Sequence, residues 1–113
     1  MHLVVDGTGI IPTRKILTQL LITLAEELGM QRVGDPQIYD EDPTNPGISG
    51  IQMVEESHIS IHTYKETGEI NVDVFSCKDF SFEEITVLLK GDLQLTTTSI
   101  QVLRRPRFPL GTR

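Results

Sequence analysis

Three consecutive stretches in the middle of the chain predict neighbouring strands. Residues 48–54 alternate apolar and polar side chains, which is the period of a half-buried strand. Residues 57–64 and 69–76 also read as strands, and the sequence KETG at residues 65–68 supplies a turn between them. Because strands joined by a hairpin run in opposite directions, this region predicts a mainly antiparallel sheet.

Two segments with helical spacing flank these strands. The first starts at Pro12 and Thr13 and ends at Gly29. The second opens at residues 81–84 (SFEE), a capping box, and stops at Gly91. Apolar residues of the first segment recur at helical spacing: Ile16, Leu17, Leu20, Leu21, Leu24, Ala25 and Leu28. So broad an apolar face needs a sheet to cover it.

Short strands at residues 2–6 and 100–103 complete the order β-α-β-β-β-α-β. This order predicts an α+β fold, a two-layer sandwich with two helices on one face of a mainly antiparallel, four-to-five-stranded sheet. Residues 35–47 contain three prolines and four acids, so we expect a loop there. The opposite face of the sheet must be wet or covered by a partner.

Length and charge narrow the class of protein. With 113 residues and a formal net charge of −6, the chain suits one domain and does not favour a nucleic-acid partner, which would require a basic patch. No apolar run approaches the roughly 18 residues of a membrane span, and no secretory signal opens the chain. The single cysteine, Cys77, excludes an internal disulfide. We therefore expect a cytoplasmic protein that does not engage a membrane.

Residues 55–77 (EESHISIHTYKETGEINVDVFSC) gather two histidines, three serines and the only cysteine. On a strand, His58 and His62 would lie about 13 Å apart at about 3.3 Å per residue, so the pair does not predict a metal site. A lone cysteine is most often inert packing. A Cys–His hydrolase stays open, although no nucleophile elbow is present.

The turn at residues 65–68 sets the register between the two strands that it joins. It places these residues opposite each other: Tyr64 and Glu69, His62 and Asn71, Ser60 and Asp73. If the pairing continues, Cys77 lies opposite Glu56 and beside Ser57. The sequence therefore predicts a thiol next to the peptide bond between Glu56 and Ser57.

Spaced polar residues of this region resemble one family. The motif starts with Gly-Ile-Ser-Gly at residues 47–50 and continues through Glu56, Ser57, His58, His62, Thr63, Tyr64, Glu66, Gly68, Val72, Asp73, Val74, Phe75 and Cys77. The pattern resembles the core motif of the short, prokaryotic-type S-adenosylmethionine decarboxylase proenzymes. His2 and Leu3 before a strand ending in an acid are similar to the family's start. The resemblance covers the whole chain, but its specific part is residues 47–77.

The resemblance implies a proenzyme that cuts itself. The cut would fall between Glu56 and Ser57 and divide the single decarboxylase domain, residues 1–113, into a beta chain (1–56) and an alpha chain (57–113). Ser57 would become a pyruvoyl group, the cofactor, through an ester, a β-elimination and loss of ammonia.

The resemblance also implies roles for other side chains. His62 and Ser49 would assist the cutting, and Cys77 would return a proton to the carbanion that carbon dioxide leaves behind. The pyruvoyl ketone would hold the substrate amine as a Schiff base and act as an electron sink. An enzyme of this kind serves polyamine synthesis, including that of spermidine.

The substrate pocket departs from the family. Glu66 is implied to hold the ribose hydroxyls of S-adenosylmethionine, and Asp6 is assigned to the same pocket. The family's adenine-stacking aromatics are missing from the two places where they usually lie, residues 40–44 (DEDPT) and 7–9 (GTG). Tyr39 is one nearby aromatic residue, and Tyr64, the other, is the expected platform.

The acids in that loop leave more than one class of substrate possible. Asp40 and Asp42 would suit a second ammonium or a guanidinium, so an ornithine or arginine decarboxylase of the same family is the alternative to S-adenosylmethionine. A non-enzymatic regulatory relative is a further alternative. The intact set of Ser49, Ser57, His62 and Cys77 argues against that last possibility.

The spacing along the strand argues for a homodimer. Ser57 and His62 are five residues apart, which is about 16 Å on a continuous strand, with their side chains on opposite faces. Within one chain they would not meet. A two-fold dimer in which one protomer supplies Ser57 and Cys77, and its partner supplies His62 and Ser49, would build two sites at the interface.

Overall fold

The computed structural model describes residues 1–40, 44 and 46–106, which form six strands and two helices. In chain order the elements are β1 (His2–Thr8), α1 (Arg14–Leu28), β2 (Gln37–Tyr39), β3 (Ser49–Val54), β4 (Ser57–Tyr64), β5 (Glu69–Phe75), α2 (Phe82–Leu93) and β6 (Thr97–Leu103). The α+β class predicted from the sequence is confirmed.

The strands form one antiparallel sheet in the order β2-β3-β4-β5-β1-β6. This sheet has one strand more than the upper limit of the predicted four to five. The added strand is β2, which lies inside the predicted loop of residues 35–47 and pairs Tyr39 with Ser49. Three residues among prolines and acids are too few for an alternating pattern to stand out, although Ile38 packs against the core.

Both helices contribute to a single core on one side of the sheet. α1 packs on β2, β3 and β4 and against α2. The fully buried core side chains are aliphatic: Leu3, Val5, Leu17, Leu20, Leu21, Leu24, Ala25, Ile59, Ile61, Ile70, Val72, Val74, Ile85, Leu89 and Leu93. Full burial of a side chain of leucine size contributes about 1.5–3 kcal/mol, so this layer fixes which face each strand turns inward.

Capping residues set the helix starts as predicted. Thr13 caps α1, which ends at Gly29 in the left-handed conformation, and Ser81 caps α2. The prediction that α2 stops at Gly91 is wrong, because the helix continues to Leu93. Complete burial of Leu93 outweighs the cost of an internal glycine, about 1 kcal/mol. Within the described ranges, neither helix is long and apolar enough to cross a membrane.

No helix covers the opposite side of the sheet in the part of the chain that the structure describes, and we call this side the open face. Cross-strand pairing arranges its side chains in rows: Met53, His58, Phe75 and His2; then Ile51, Ser60, Asp73 and Val4; then Ser49, His62, Asn71 and Asp6. Tyr39, Ile51, Met53 and Leu103 are exposed there. This amphipathic surface is where a partner layer would fit.

Candidate active site

The predicted register of β4 and β5 is confirmed, and it brings Cys77 to Ser57. Tyr64 lies opposite Glu69, and the pairing runs down the strands as predicted. Just beyond the last pair, the Cys77 backbone N–H donates a hydrogen bond to the Ser57 hydroxyl oxygen at 2.8 Å. Ser57 is buried and Cys77 is half-buried. A hydroxyl and a thiol-bearing residue are therefore held together at the start of β4.

Ser57 follows directly on a tight turn. Val54 at the end of β3 pairs with Ser57 at the start of β4, so only Glu55 and Glu56 connect the two strands. Glu56 adopts a left-handed backbone conformation with φ of 55°. The peptide bond between Glu56 and Ser57, at which the resemblance places the cut, thus lies at the end of a two-residue turn.

Ser49 and His62 form a second polar pair. They lie opposite each other on β3 and β4, and the Nδ1 atom of His62 is 2.8 Å from the Ser49 hydroxyl oxygen. An imidazole nitrogen in contact with a hydroxyl can take a proton from it or return one. The structure therefore unites the two residues that the resemblance assigned to processing.

The backbone beside this pair is locked by a close approach. The Thr63 hydroxyl donates to the Ile48 carbonyl oxygen and accepts from the Ile48 N–H, both at 2.8 Å. Gly47 adopts φ of 150°, and a Cβ on it would lie 2.1 Å from the Thr63 carbonyl oxygen. Only glycine fits at this point, and its fit fixes the start of β3, where Ser49 lies.

The two polar pairs do not meet within one chain. Ser57 shares the buried face of β4 with Ile59 and Ile61, whereas His62 is exposed on the open face. Five residues of strand separate them, about 16 Å at about 3.3 Å per residue. One chain therefore contains both pairs of the predicted site, Ser57 with Cys77 and Ser49 with His62, but does not bring the two pairs together.

Tyr64 and Glu66 line one small cleft at the hairpin end of the sheet. The cleft has a volume of about 180 Å³ and is lined by Thr44, Pro46, Tyr64, Glu66, Thr67 and Glu69. Two carboxylates and an aromatic ring suit a polar, cationic part of a ligand. The two residues expected to bind substrate therefore share one depression.

Comparison with known proteins identifies the family. The sequence profile described as S-adenosylmethionine decarboxylase matches residues 1–106. The chain belongs to the S-adenosylmethionine decarboxylase family. This membership accounts for the spacing of the serine, histidine and cysteine residues described above.

Relatives in this family match to different extents. The S-adenosylmethionine decarboxylase proenzyme of Prochlorococcus marinus is 43% identical over 60 residues, 52% of this chain, and the match spans about half of that relative (49%). The proenzyme of Clostridium botulinum is 31% identical over 112 residues, 95% of this chain and 94% of the relative. The crystal structure of the adenosylmethionine decarboxylase from Aquifex aeolicus is 26% identical, with a TM-score of 0.77 over 92% of this chain and 88% of that chain.

Tyr39 is a candidate site residue for which the sequence favoured Tyr64 instead. It lies on β2 directly opposite Ser49, and the residue is 61% exposed. With Ile51, Ser49 and His62 it lines a wider cleft of about 400 Å³. The strand turns Ile38 inward and Tyr39 outward, but three residues are too few for this alternation to be visible in the sequence. This family member therefore presents an aromatic ring beside the Ser49–His62 pair.

The acidic residues assigned to substrate have partners of their own. Asp6 accepts a hydrogen bond from the Asn71 side-chain amide at 2.7 Å. Asp40 accepts from two nitrogens of Arg14, at 2.9 and 3.2 Å. Because Arg14 already neutralises the Asp40 carboxylate in this bidentate pair, Asp40 attracts a second cation less strongly. Asp42 lies outside the described residues.

A further cluster lies on the open face at the Ser57 end of the sheet. The Nε2 atom of His2 is 2.9 Å from an Asp73 carboxylate oxygen, and the rings of His58 and Phe75 are 5.5 Å apart. The Arg105 guanidinium carbon lies 5.3 Å from the centre of the Phe75 ring. The sequence gives no local signal for this cluster, because it depends on the placement of β1 between β5 and β6.

Proposed function

We propose that this chain is a self-cleaving, pyruvoyl-dependent S-adenosylmethionine decarboxylase that works as a homodimer. The observation that carries the proposal is the hydrogen bond from the Cys77 N–H to the Ser57 hydroxyl, in a chain of the S-adenosylmethionine decarboxylase family. This bond holds the Ser57 hydroxyl, which is the group that must react, beside Cys77, which is the residue proposed to protonate the product.

The cleavage starts from the Ser57 hydroxyl. Its oxygen attacks the Glu56 carbonyl carbon, the peptide C–N bond breaks, and the nitrogen takes the hydroxyl proton, so that an ester replaces the amide. β-Elimination removes the Cα proton of Ser57 and breaks its Cβ–Oγ bond. Residues 1–56 leave as a carboxylate. The dehydroalanine that remains at position 57 tautomerises, takes up water and loses ammonia to become a pyruvoyl group.

The surroundings of Ser57 fit this group. The residue is buried, and the N–H of Cys77 points at its side chain, so this donor would still lie beside the group after Oγ has left with residues 1–56. Once formed, the pyruvoyl ketone supplies an electrophile that holds the substrate amine and takes up the electrons released with carbon dioxide. The half-buried Cys77 then carries a proton to the product carbon.

The arrangement of the open face supports the proposed homodimer. The His58 and His62 rows lie on either side of the Ser60 row. A two-fold axis across the strands along the Ser60 row would place the His62 row of one protomer over the partner's His58 row. His58 adjoins Ser57, so the Ser49–His62 pair would lie over the turn that carries the Glu56–Ser57 peptide bond of the other chain, while the Ser57 side chain itself lies on the far face of β4. The exposed apolar residues of the open face would be buried in such a sandwich.

Co-expression of two inactive variants tests the shared site. Neither Ser57→Ala nor His62→Ala chains should cut alone. In a mixed dimer the His62→Ala chain has an intact Ser57 that meets the partner's intact histidine, so up to half of the chains should be cut. Two different affinity tags isolate the mixed dimers, and denaturing electrophoresis measures the cut fraction. An uncut His62→Ala chain in verified mixed dimers would show that His62 acts within its own chain.

The clefts favour S-adenosylmethionine over a basic amino acid. Tyr39 offers a face to a planar base, and Glu66 can accept hydrogen bonds from ribose hydroxyls. Asp40, which a second ammonium would need, already pairs with Arg14. A substrate with an aromatic base, a ribose and one sulfonium therefore uses more of the available groups than ornithine or arginine does.

Carbon dioxide release from processed protein tests the choice of substrate. We expect the highest kcat/KM with S-adenosylmethionine among S-adenosylmethionine, ornithine, arginine and lysine. Tyr39→Ala should raise KM for S-adenosylmethionine about tenfold, since a base–aromatic stack contributes about 1–3 kcal/mol. Tyr39→Phe, which keeps the ring, is the matched control. A higher kcat/KM with ornithine or arginine would reverse this assignment.

A further inference from the structure

Glu56 holds an unfavourable backbone conformation. Its φ of 55° brings Cβ close to the following carbonyl oxygen, which disfavours every residue except glycine and, less strongly, asparagine and aspartate. Among the described non-glycine residues only Gln94 also has a positive φ, and it caps the end of α2, where that conformation is common. Glu56 therefore occupies a turn position that ordinarily takes glycine or asparagine.

The turn cannot relax, because both of its sides are anchored. On one side the Glu55 N–H donates to the Gln31 carbonyl oxygen at 3.1 Å. On the other, Ser57 accepts from the Cys77 N–H at 2.8 Å. The pairing of Val54 with Ser57 closes the loop between them. A shift of Glu56 toward a favourable φ would break at least one of these contacts.

Resting on the proposed self-cleavage, we propose that the strained turn at Glu56 promotes the cut, independently of the Glu56 carboxylate. In the amide, the Glu56 carbonyl carbon is joined to the Ser57 Cα through the nitrogen alone. In the ester the connection runs through Oγ and Cβ and is one bond longer. The longer tether lets Glu56 leave the left-handed region, so the strain is released as the first step proceeds.

Two substitutions separate strain from charge. Glu56→Ala and Glu56→Gly both remove the carboxylate, but only glycine adopts the left-handed conformation at little cost. We expect the glycine variant to cut about five- to thirtyfold more slowly than the alanine variant, which is the usual cost of that conformation for a residue with a Cβ expressed as a ratio of rates. The measurement is the appearance of residues 57–113 over time by mass spectrometry, after on-column purification of the uncut chain.

Denaturation midpoints serve as a control that the Glu56→Gly and Glu56→Ala variants both fold. In an uncuttable Ser57→Ala background, Glu56→Gly should have a higher denaturation midpoint than Glu56→Ala, because it carries no strain. Equal or faster cutting by the glycine variant, with the wild type also cut, would overturn the strain inference alone. A wild type that stays whole would overturn the proposed self-cleavage and the strain inference with it.

Discussion

Ser57→Ala is expected to leave the chain whole, with its 113 residues in one piece, and to abolish carbon dioxide release. Without the hydroxyl, no ester forms at Glu56 and no pyruvoyl group can arise from position 57. The fold should persist, because the Ser57 hydroxyl accepts one hydrogen bond, from Cys77, and such a bond contributes about 1 kcal/mol. Mass spectrometry and a carbon dioxide assay on the same sample measure both effects.

Thr18→Ala is the matched control for that experiment. Thr18 lies on α1, on the side of the sheet away from the open face, and its hydroxyl donates to the Arg14 carbonyl oxygen, so its removal should leave the cut intact. A Ser57→Ala protein that still separates into residues 1–56 and 57–113 would show that another group performs the attack. A whole chain that still releases carbon dioxide would show that no pyruvoyl group is needed.

Cys77→Ala is expected to separate cutting from turnover. The contact that holds the Ser57 hydroxyl comes from the backbone N–H of Cys77, not from its thiol, so an alanine keeps it. The chain should therefore still be cut. Loss of the proton donor should lower kcat by about 10²–10⁴-fold, the usual contribution of a positioned general acid.

The misplaced proton should leave a second trace. In the alanine variant the proton is expected to reach the pyruvoyl carbon instead. The substrate nitrogen would then stay on position 57 as an N-terminal alanine while the product leaves as an aldehyde after hydrolysis, and the alpha chain would be inactive. Cys77→Ser, which keeps a weaker proton donor, should retain more turnover than Cys77→Ala. Turnover within a few-fold of the wild type would remove Cys77 from the mechanism.

The contact at Ser57 could be predicted because local signals fix the hairpin. The turn at residues 65–68 sets one end of the register, and the two-residue side-chain period carries it without drift to Cys77. The helix starts could also be predicted from local signals, because a capping residue, Thr13 or Ser81, precedes each helix. Both depend on residues within a few positions of each other or on a period that does not accumulate error.

Features that depend on distant segments could not be predicted in this way. β2 forms because Gln37–Tyr39 pairs with the edge of β3. The ion pair between Arg14 and Asp40 depends on the packing of α1 beside that edge. Neither has a signal within its own few residues. The sequence thus suggested a free acidic loop where the fold presents a paired Asp40 and an exposed Tyr39.

The cluster at the Ser57 end of the open face shows the same limit. His2 and Asp73 are 71 residues apart in the chain and meet only because β1 lies beside β5. Arg105 reaches Phe75 after β6 has paired with β1. Strand order across a sheet is a global property, and alternation within each strand carries no information about it.

The intact mass of the purified wild-type chain is the most direct test of self-cleavage. We expect two masses after incubation, those of residues 1–56 and of residues 57–113, with the second chain starting in a ketone that reacts with hydrazine and lacks a free amine. A folded wild-type protein that keeps the single mass of 113 residues after long incubation would contradict self-cleavage. It would favour a regulatory member of the family that never forms the pyruvoyl group.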